Sequence, residues 1–157
     1  IPTPVIILVA VLIVTALIMN KSKLGRHIYA VGGNPVAAVF SGIKVSKVKF
    51  LVFTYSGLMA GLAGIVLASR MYSGQPTAGE GAEMDAIAAV VVGGTSMAGG
   101  YGKIGGTIIG GLIIGVLNNG LNLLNVSSFW QYVVKGIVIL LAVFIDYIRQ
   151  GRKEMKN

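Results

Sequence analysis

The sequence predicts an all-α membrane protein, a polytopic helical bundle with about five membrane segments, one of them broken or short. Three observations carry this. The chain of 157 residues is 55% hydrophobic and only 11% charged, and its mean hydropathy of +0.83 is far above what a soluble domain of this size sustains. Its apolar residues fall in long runs instead of alternating with polar ones. Its basic residues collect in two places that flank those runs.

Five apolar stretches can be drawn: 1–19, 50–69, 86–98, 104–124 and 132–148. At ~1.5 Å per residue, four of them are long enough to cross a hydrocarbon core of ~30 Å, interfacial ends included. The first has no basic leader and no cleavage site, so it reads as a membrane segment and not as a signal peptide. The third, 86–98, is too short to cross comfortably. Gly93-Gly94 interrupt it and Gly99-Gly100-Tyr101-Gly102 follow it, so a broken or half helix is expected there. Irregular backbone at membrane depth persists only where protein or a watery cavity satisfies its N–H and C=O groups. The stretch 85–106 is therefore expected beside a pathway.

Lys21, Lys23, Arg26, Lys44, Lys47 and Lys49 lie between the first two spans without an acidic residue, and Arg149, Arg152, Lys153 and Lys156 crowd the tail. Both segments are expected on the cytoplasmic side. Segment 70–85 carries Glu80, Glu83 and Asp85 against Arg70, and 125–131 carries no charge, so both are expected outside. An outside start, five passages and an inside end agree with one another.

The connection 20–49 reads as a basic, turn-rich loop holding one short capped helix. Asn34 is a favoured N-cap, Pro35 suits the first helical position, and Gly42 can adopt the left-handed conformation that ends a helix. A helix of about two turns, Pro35 to Ser41, is expected between them. So short a helix does not persist alone in water, and it is expected to dock against a partner.

The net charge of +8 is accounted for by topology, because the basic residues flank apolar spans and no nucleic-acid motif accompanies them. There is no cysteine and His27 is the single histidine, which leaves no thiolate or histidine-cluster metal site. Gly100 to Gly105 spell G-x-G-x-x-G, but no strand precedes them and no acidic residue follows at the required distance, so a dinucleotide site is rejected. Ile104 follows Gly102-Lys103 where a phosphate-binding loop needs Ser or Thr. No catalytic residues, metal or cofactor are assigned.

Two readings stay open for each polar or glycine-rich feature. Gly57 and Gly61, Ala60 and Gly64, Gly102, Gly106 and Gly110, and Gly111 and Gly115 stand four apart, which suits close helix packing in lipid or an interface that slides. Glu80, Glu83 and Asp85 form either a solvated rim, with Asp85 also capping the next helix, or a proton or cation site. Asp146 and Lys135 are read as lying near span ends, within reach of the interface, which disfavours a mid-depth proton relay. Asn118, Asn122 and Asn125 share one helical face; they can bond neighbouring helices or a passing sugar's hydroxyls. The Asn125-Val126-Ser127 sequon adds nothing by itself.

These residues resemble a known family, the permease subunits of bacterial ABC importers for monosaccharides. The strongest pieces are Gly25-Arg26-His27-Ile28-Tyr29-Ala30 with Gly33-Asn34, Ala37-Ala38 and Ser41-Gly42-Ile43, then Gln75 to Gly79, Asp85 to Ser96, and Asn118 to Leu124. The resemblance implies the C-terminal half of a multi-pass permease of the bacterial inner membrane, carrying ribose or a similar sugar. It implies as partners an ABC ATPase subunit, a periplasmic sugar-binding protein, a second permease copy in a homodimer, and membrane lipid, with no nucleic acid. It makes Asn34, Pro35, Ala37, Ala38, Phe40 and Gly42 the helix that couples to the ATPase. Where the family usually carries a basic residue, Val39-Phe40 stand here, which replaces a salt bridge by an apolar contact. Asp85, Gly93, Gly94, Thr95, Ser96, Asn118 and Asn122 are the candidate translocation-pathway residues. The competing reading is a secondary sugar transporter or channel-like protein without an ATPase.

Overall fold

The computed structural model describes residues 2–154, with side chains to residue 148, and every regular element among them is an α-helix: α1 Thr3–Lys21, α2 Lys23–Gly33, α3 Pro35–Phe40, α4 Val45–Met71, α5 Ala82–Val92, α6 Ile104–Leu123 and α7 Ser128–Glu154. Four helices, α1, α4, α6 and α7, are long and apolar enough to cross a membrane. Most of their large apolar side chains are exposed, among them Leu8, Leu17, Phe53, Ile65, Leu112 and Leu140. In a membrane segment the solvent for such side chains is lipid, so exposure costs nothing there. The chain divides into two compact units, 1–80 and 81–157.

In the first unit, α1 begins at a proline-rich turn, and Pro2 stands at its N-cap. The Thr15 hydroxyl meets the Tyr55 hydroxyl at 2.5 Å, which ties α1 to α4 in mid-helix. The chain then turns at Ser22, whose Oγ accepts from the Gly25 N–H at 3.1 Å and caps α2. Gly25 lies so close to the carbonyls of Ile18 and Met19 that a Cβ there would collide with backbone. That approach is why the corner needs glycine.

Segment 20–49 is therefore helical over most of its length, and the expected turn-rich loop at 25–33 is corrected to helix α2. Glycines 25, 32 and 33 suggested turns by local propensity. The Ser22 cap and the burial of Gly25 and Val31 outweigh that propensity. Val31, Ala38 and Val48 form one small apolar cluster with Ile28, Ile43 and Val45 around it. It gathers α2, α3 and the start of α4 into a single support.

In the second unit, α5 runs for 11 residues, about 16 Å at the usual rise, roughly half a hydrocarbon core. The expected half helix at 86–98 is thus present but displaced, starting at Ala82 and ending at Val92. Its N-cap is Gly81, at φ +80, and no side chain caps it. Asp85, expected as a cap, stands inside the first turn instead.

Helices α5 and α6 run antiparallel in backbone contact. A Cβ on Gly93 or Gly106 would strike the other's backbone, and one on Gly110 would strike the Ala89 carbonyl. Small residues four apart on both helices, Ala89 and Gly93 against Gly106 and Gly110, make that approach possible. Of the glycines expected to pack, Gly106 and Gly110 make this close approach. Gly111 and Gly115 on α6, and Gly57, Gly61 and Gly64 on α4, have open space where a Cβ would stand.

Three helices end on the same device. Gly42 at φ +78, Gly94 at φ +84 and Asn125 at φ +52 occupy the left-handed region. Each is followed by a residue whose N–H reaches back five positions: Ile43 to Ala38, Thr95 to Val90 and Val126 to Leu121. These are Schellman ends, which satisfy otherwise orphaned carbonyls.

Candidate functional site

The first candidate is the face of α3. The Asn34 Oδ1 accepts from the Ala37 N–H at 3.0 Å, Pro35 takes the first helical position, and Gly42 closes the far end. Ala38 is 3% exposed and packs into the apolar cluster, whereas Phe40 is 87% exposed. Val36 and Val39 are exposed beside it, as are Asn34, Pro35, Ala37 and Gly42. A six-residue helix thus presents an apolar outer face on an anchored base. Exposed Lys44, Lys47 and Lys49 follow it in the chain.

The second candidate is a charged cluster in the 81–157 unit. Lys135 Nζ lies 2.6 Å from Asp85 Oδ1, with side chains 10% and 31% exposed. The Asn118 amide donates to Asp85 Oδ2 at 2.9 Å. One carboxylate therefore joins α5, α6 and α7. Lys135 also stands 5.7 Å from the centroid of the Tyr132 ring, close enough for a cation–π contribution. Tyr132 in turn lies against Gly81, where a Cβ would come within 2.8 Å of the ring.

Lys135, read as reaching the interface, is instead paired with Asp85. Helix α7 begins at Ser128, four residues before the expected span, so Lys135 sits about 10 Å along it. Its partner, Asp85, holds it inward. Burying either charge alone in such surroundings is expensive, and pairing is what makes both tolerable.

The remaining candidate residues divide. Gly93, Gly94, Thr95 and Ser96 form the turn after α5. Gly93 packs on α6, Gly94 supplies the left-handed end, and Thr95 Cγ2 fills the space that a Cβ at Gly102 would need. Ser96 is buried; its N–H donates to the Tyr101 carbonyl at 3.0 Å and its Oγ accepts from the Ala98 N–H at 3.2 Å. Asn122 Oδ1 accepts from Gln131 Nε2 at 2.9 Å, and the same nitrogen donates to the Val126 carbonyl. The structure thus brings Asp85 and Asn118 together and leaves Asn122 and Asn125 shaping the α6–α7 turn.

Sequence reasoning missed Lys135 and Tyr132 as members of the Asp85 cluster. The available signal was a single lysine within an apolar stretch otherwise free of charge until Asp146.

Relatives with known names agree with the membrane architecture. The chain is 58% identical over 146 residues to the ribose import permease protein RbsC of Bacillus subtilis, covering 93% of this chain and 45% of that protein. It is 56% identical over 150 residues to the RbsC protein of Escherichia coli K12, covering 96% of this chain and 47% of the relative. It is 49% identical over 146 residues to the xylose transport system permease protein XylH of Haemophilus influenzae, covering 93% and 39%. The chain spans about half the length of the curated relatives it matches, or less. No solved structure matches it closely enough to extend the comparison. The model of one family, described as branched-chain amino acid transport system / permease component, matches residues 2–143. The chain therefore belongs to this family of permease components, as a multi-pass protein of the bacterial inner membrane.

Proposed function

We propose that the chain is the C-terminal half of a permease for ATP-driven uptake of a monosaccharide, ribose or a similar sugar, and that α3 is its coupling helix. The names of its relatives support the cargo. The observation that carries the coupling role is the two-sided helix: Ala38 buried in the cluster with Val31 and Val48, Phe40 almost wholly exposed. An exposed aromatic on a rigid, capped base is the kind of anchor that fills a pocket on a partner.

In this reading a separate ATPase subunit hydrolyses ATP, and a periplasmic binding protein delivers the sugar. Two permease copies pair in the bilayer. Closure of the ATPases moves α3, and the chain's packed helices pass that motion on as alternating access. Segments 20–49 and the tail face the cytoplasm in this arrangement, because that side collects lysine and arginine.

Co-purification and vesicle uptake test the reading. The full permease is expected to bring down its ATPase subunit, and sugar uptake into reconstituted vesicles is expected to require ATP and the binding protein. Uptake that persists without the ATPase and follows an ion gradient would replace this reading by that of a secondary transporter.

A further inference from the structure

The coupling role of α3 makes no use of the Asp85, Asn118, Lys135 and Tyr132 cluster, whose hydrogen-bonding capacity is only partly spent. Asn118 donates its amide N–H to Asp85 Oδ2, and its own Oδ1 is buried with no donor facing it. Reversing the amide would set that oxygen against a carboxylate, so the charge of Asp85 fixes its direction. An ammonium has three N–H groups, and Lys135 Nζ stands 2.6 Å from Asp85 Oδ1 as an ion pair. The Tyr132 ring flanks the pair and is itself exposed.

We propose that these four side chains form a hydroxyl-binding subsite for a neutral polyol. Under the function proposed above, on which this inference rests, that polyol is the transported monosaccharide. The chemistry of the set is specific. A carboxylate oxygen and the Asn118 carbonyl each accept a hydroxyl proton, the Lys135 ammonium donates to a hydroxyl or ring oxygen, and the Tyr132 ring offers a flat face to sugar C–H groups. The opposite charges of Asp85 and Lys135 cancel, so a neutral cargo disturbs neither, whereas an ionic one would compete with one of them. Approach is from the Asp85 and Tyr132 side, where the cluster is partly exposed.

The test compares sugars instead of absolute rates. The full permease, reconstituted with its ATPase and binding protein, is assayed for uptake of ribose and of its monodeoxy analogues, in the wild type, Asn118→Val and Asn118→Thr. The preference of the binding protein is common to all three and cancels when the ratio of kcat/KM for ribose to that for each analogue is compared between variants. For the analogue lacking the hydroxyl that meets Asn118, that ratio is expected to fall about tenfold in Asn118→Val, the effect of one hydrogen bond. Asn118→Thr, which keeps an oxygen, is expected to restore part of it. A purely structural role would slow every sugar by the same factor, and unchanged ratios for all analogues in Asn118→Val overturn the subsite. If Asn118→Val does not reach the membrane, wild-type ratios in Asn118→Ala, which also removes the acceptor oxygen, overturn it equally. Wild-type permease that takes up no sugar would instead overturn the function proposed above.

Discussion

Gly93 and Gly106 face each other across α5 and α6 at a separation that admits no methyl group on either. Ala89 and Gly110 repeat the contact one turn away, so the short helix is joined to a membrane-spanning one along its backbone. Dispersion and weak Cα–H···O contacts act over such a seam, in a medium where burial of apolar surface contributes nothing extra.

Gly106→Ala and Gly110→Ala are therefore expected to destabilise the permease by about 1–3 kcal/mol each, the usual cost of overpacking. Gly111→Ala and Gly115→Ala, on the same helix but facing open space, are expected to be neutral or slightly stabilising through helix propensity. Thermal unfolding of the detergent-solubilised permease separates the two pairs; equal effects from all four substitutions would contradict the seam.

The ion pair makes a second prediction. Asp85→Asn leaves Lys135 buried without its counter-charge, and Lys135→Met leaves Asp85 likewise, at a cost of about 3–5 kcal/mol for either change alone. The double variant removes both charges and is expected to recover most of the folded yield. Gel-filtration profiles of the three proteins give the comparison. A double variant as poor as the singles would show that the two charges act separately.

Phe40→Ala removes the outermost side chain of α3 without touching its anchored side. It is expected to leave membrane insertion and thermal stability unchanged and to abolish sugar uptake and transport-coupled ATP hydrolysis. Wild-type uptake by this variant would sink the coupling role.

The caps of α3 are expected to be graded. Asn34→Ala loses the bond to the Ala37 N–H, about 1 kcal/mol. Gly42→Ala meets no steric obstacle but must hold φ near +78, which costs roughly 1–2 kcal/mol. Gly42→Pro cannot adopt that angle at all and is expected to abolish uptake. Protease sensitivity of segment 34–44 reports the fraying directly.

What could be read from the sequence was what local chemistry determines. The four long apolar runs, the Asn34-Pro35 start and the Gly42 end of α3 all depend on residues near one another in the chain. Helix α2 escaped that reading because Gly25 looks like a turn locally, while its reason for being glycine is the carbonyls of Ile18 and Met19 on the preceding helix. The start of α5 was placed too late because Gly81, not Asp85, is its cap. The Asp85 to Lys135 pairing joins helices distant in sequence, and nothing in the spacing of either residue announces the other. Asn118 was singled out by its position on a polar face, but its bond to Asp85 needed the fold.

Ala38, Val31 and Val48 share one cluster at the foot of α4, the longest rod in that half of the molecule. In mechanical terms α3 is a stub welded to the base of a strut: a load applied at Phe40 has no soft joint in which to dissipate before it reaches Val48. A glycine introduced at Ala38 would loosen that weld, so that displacement at the stub would no longer be repeated along the strut.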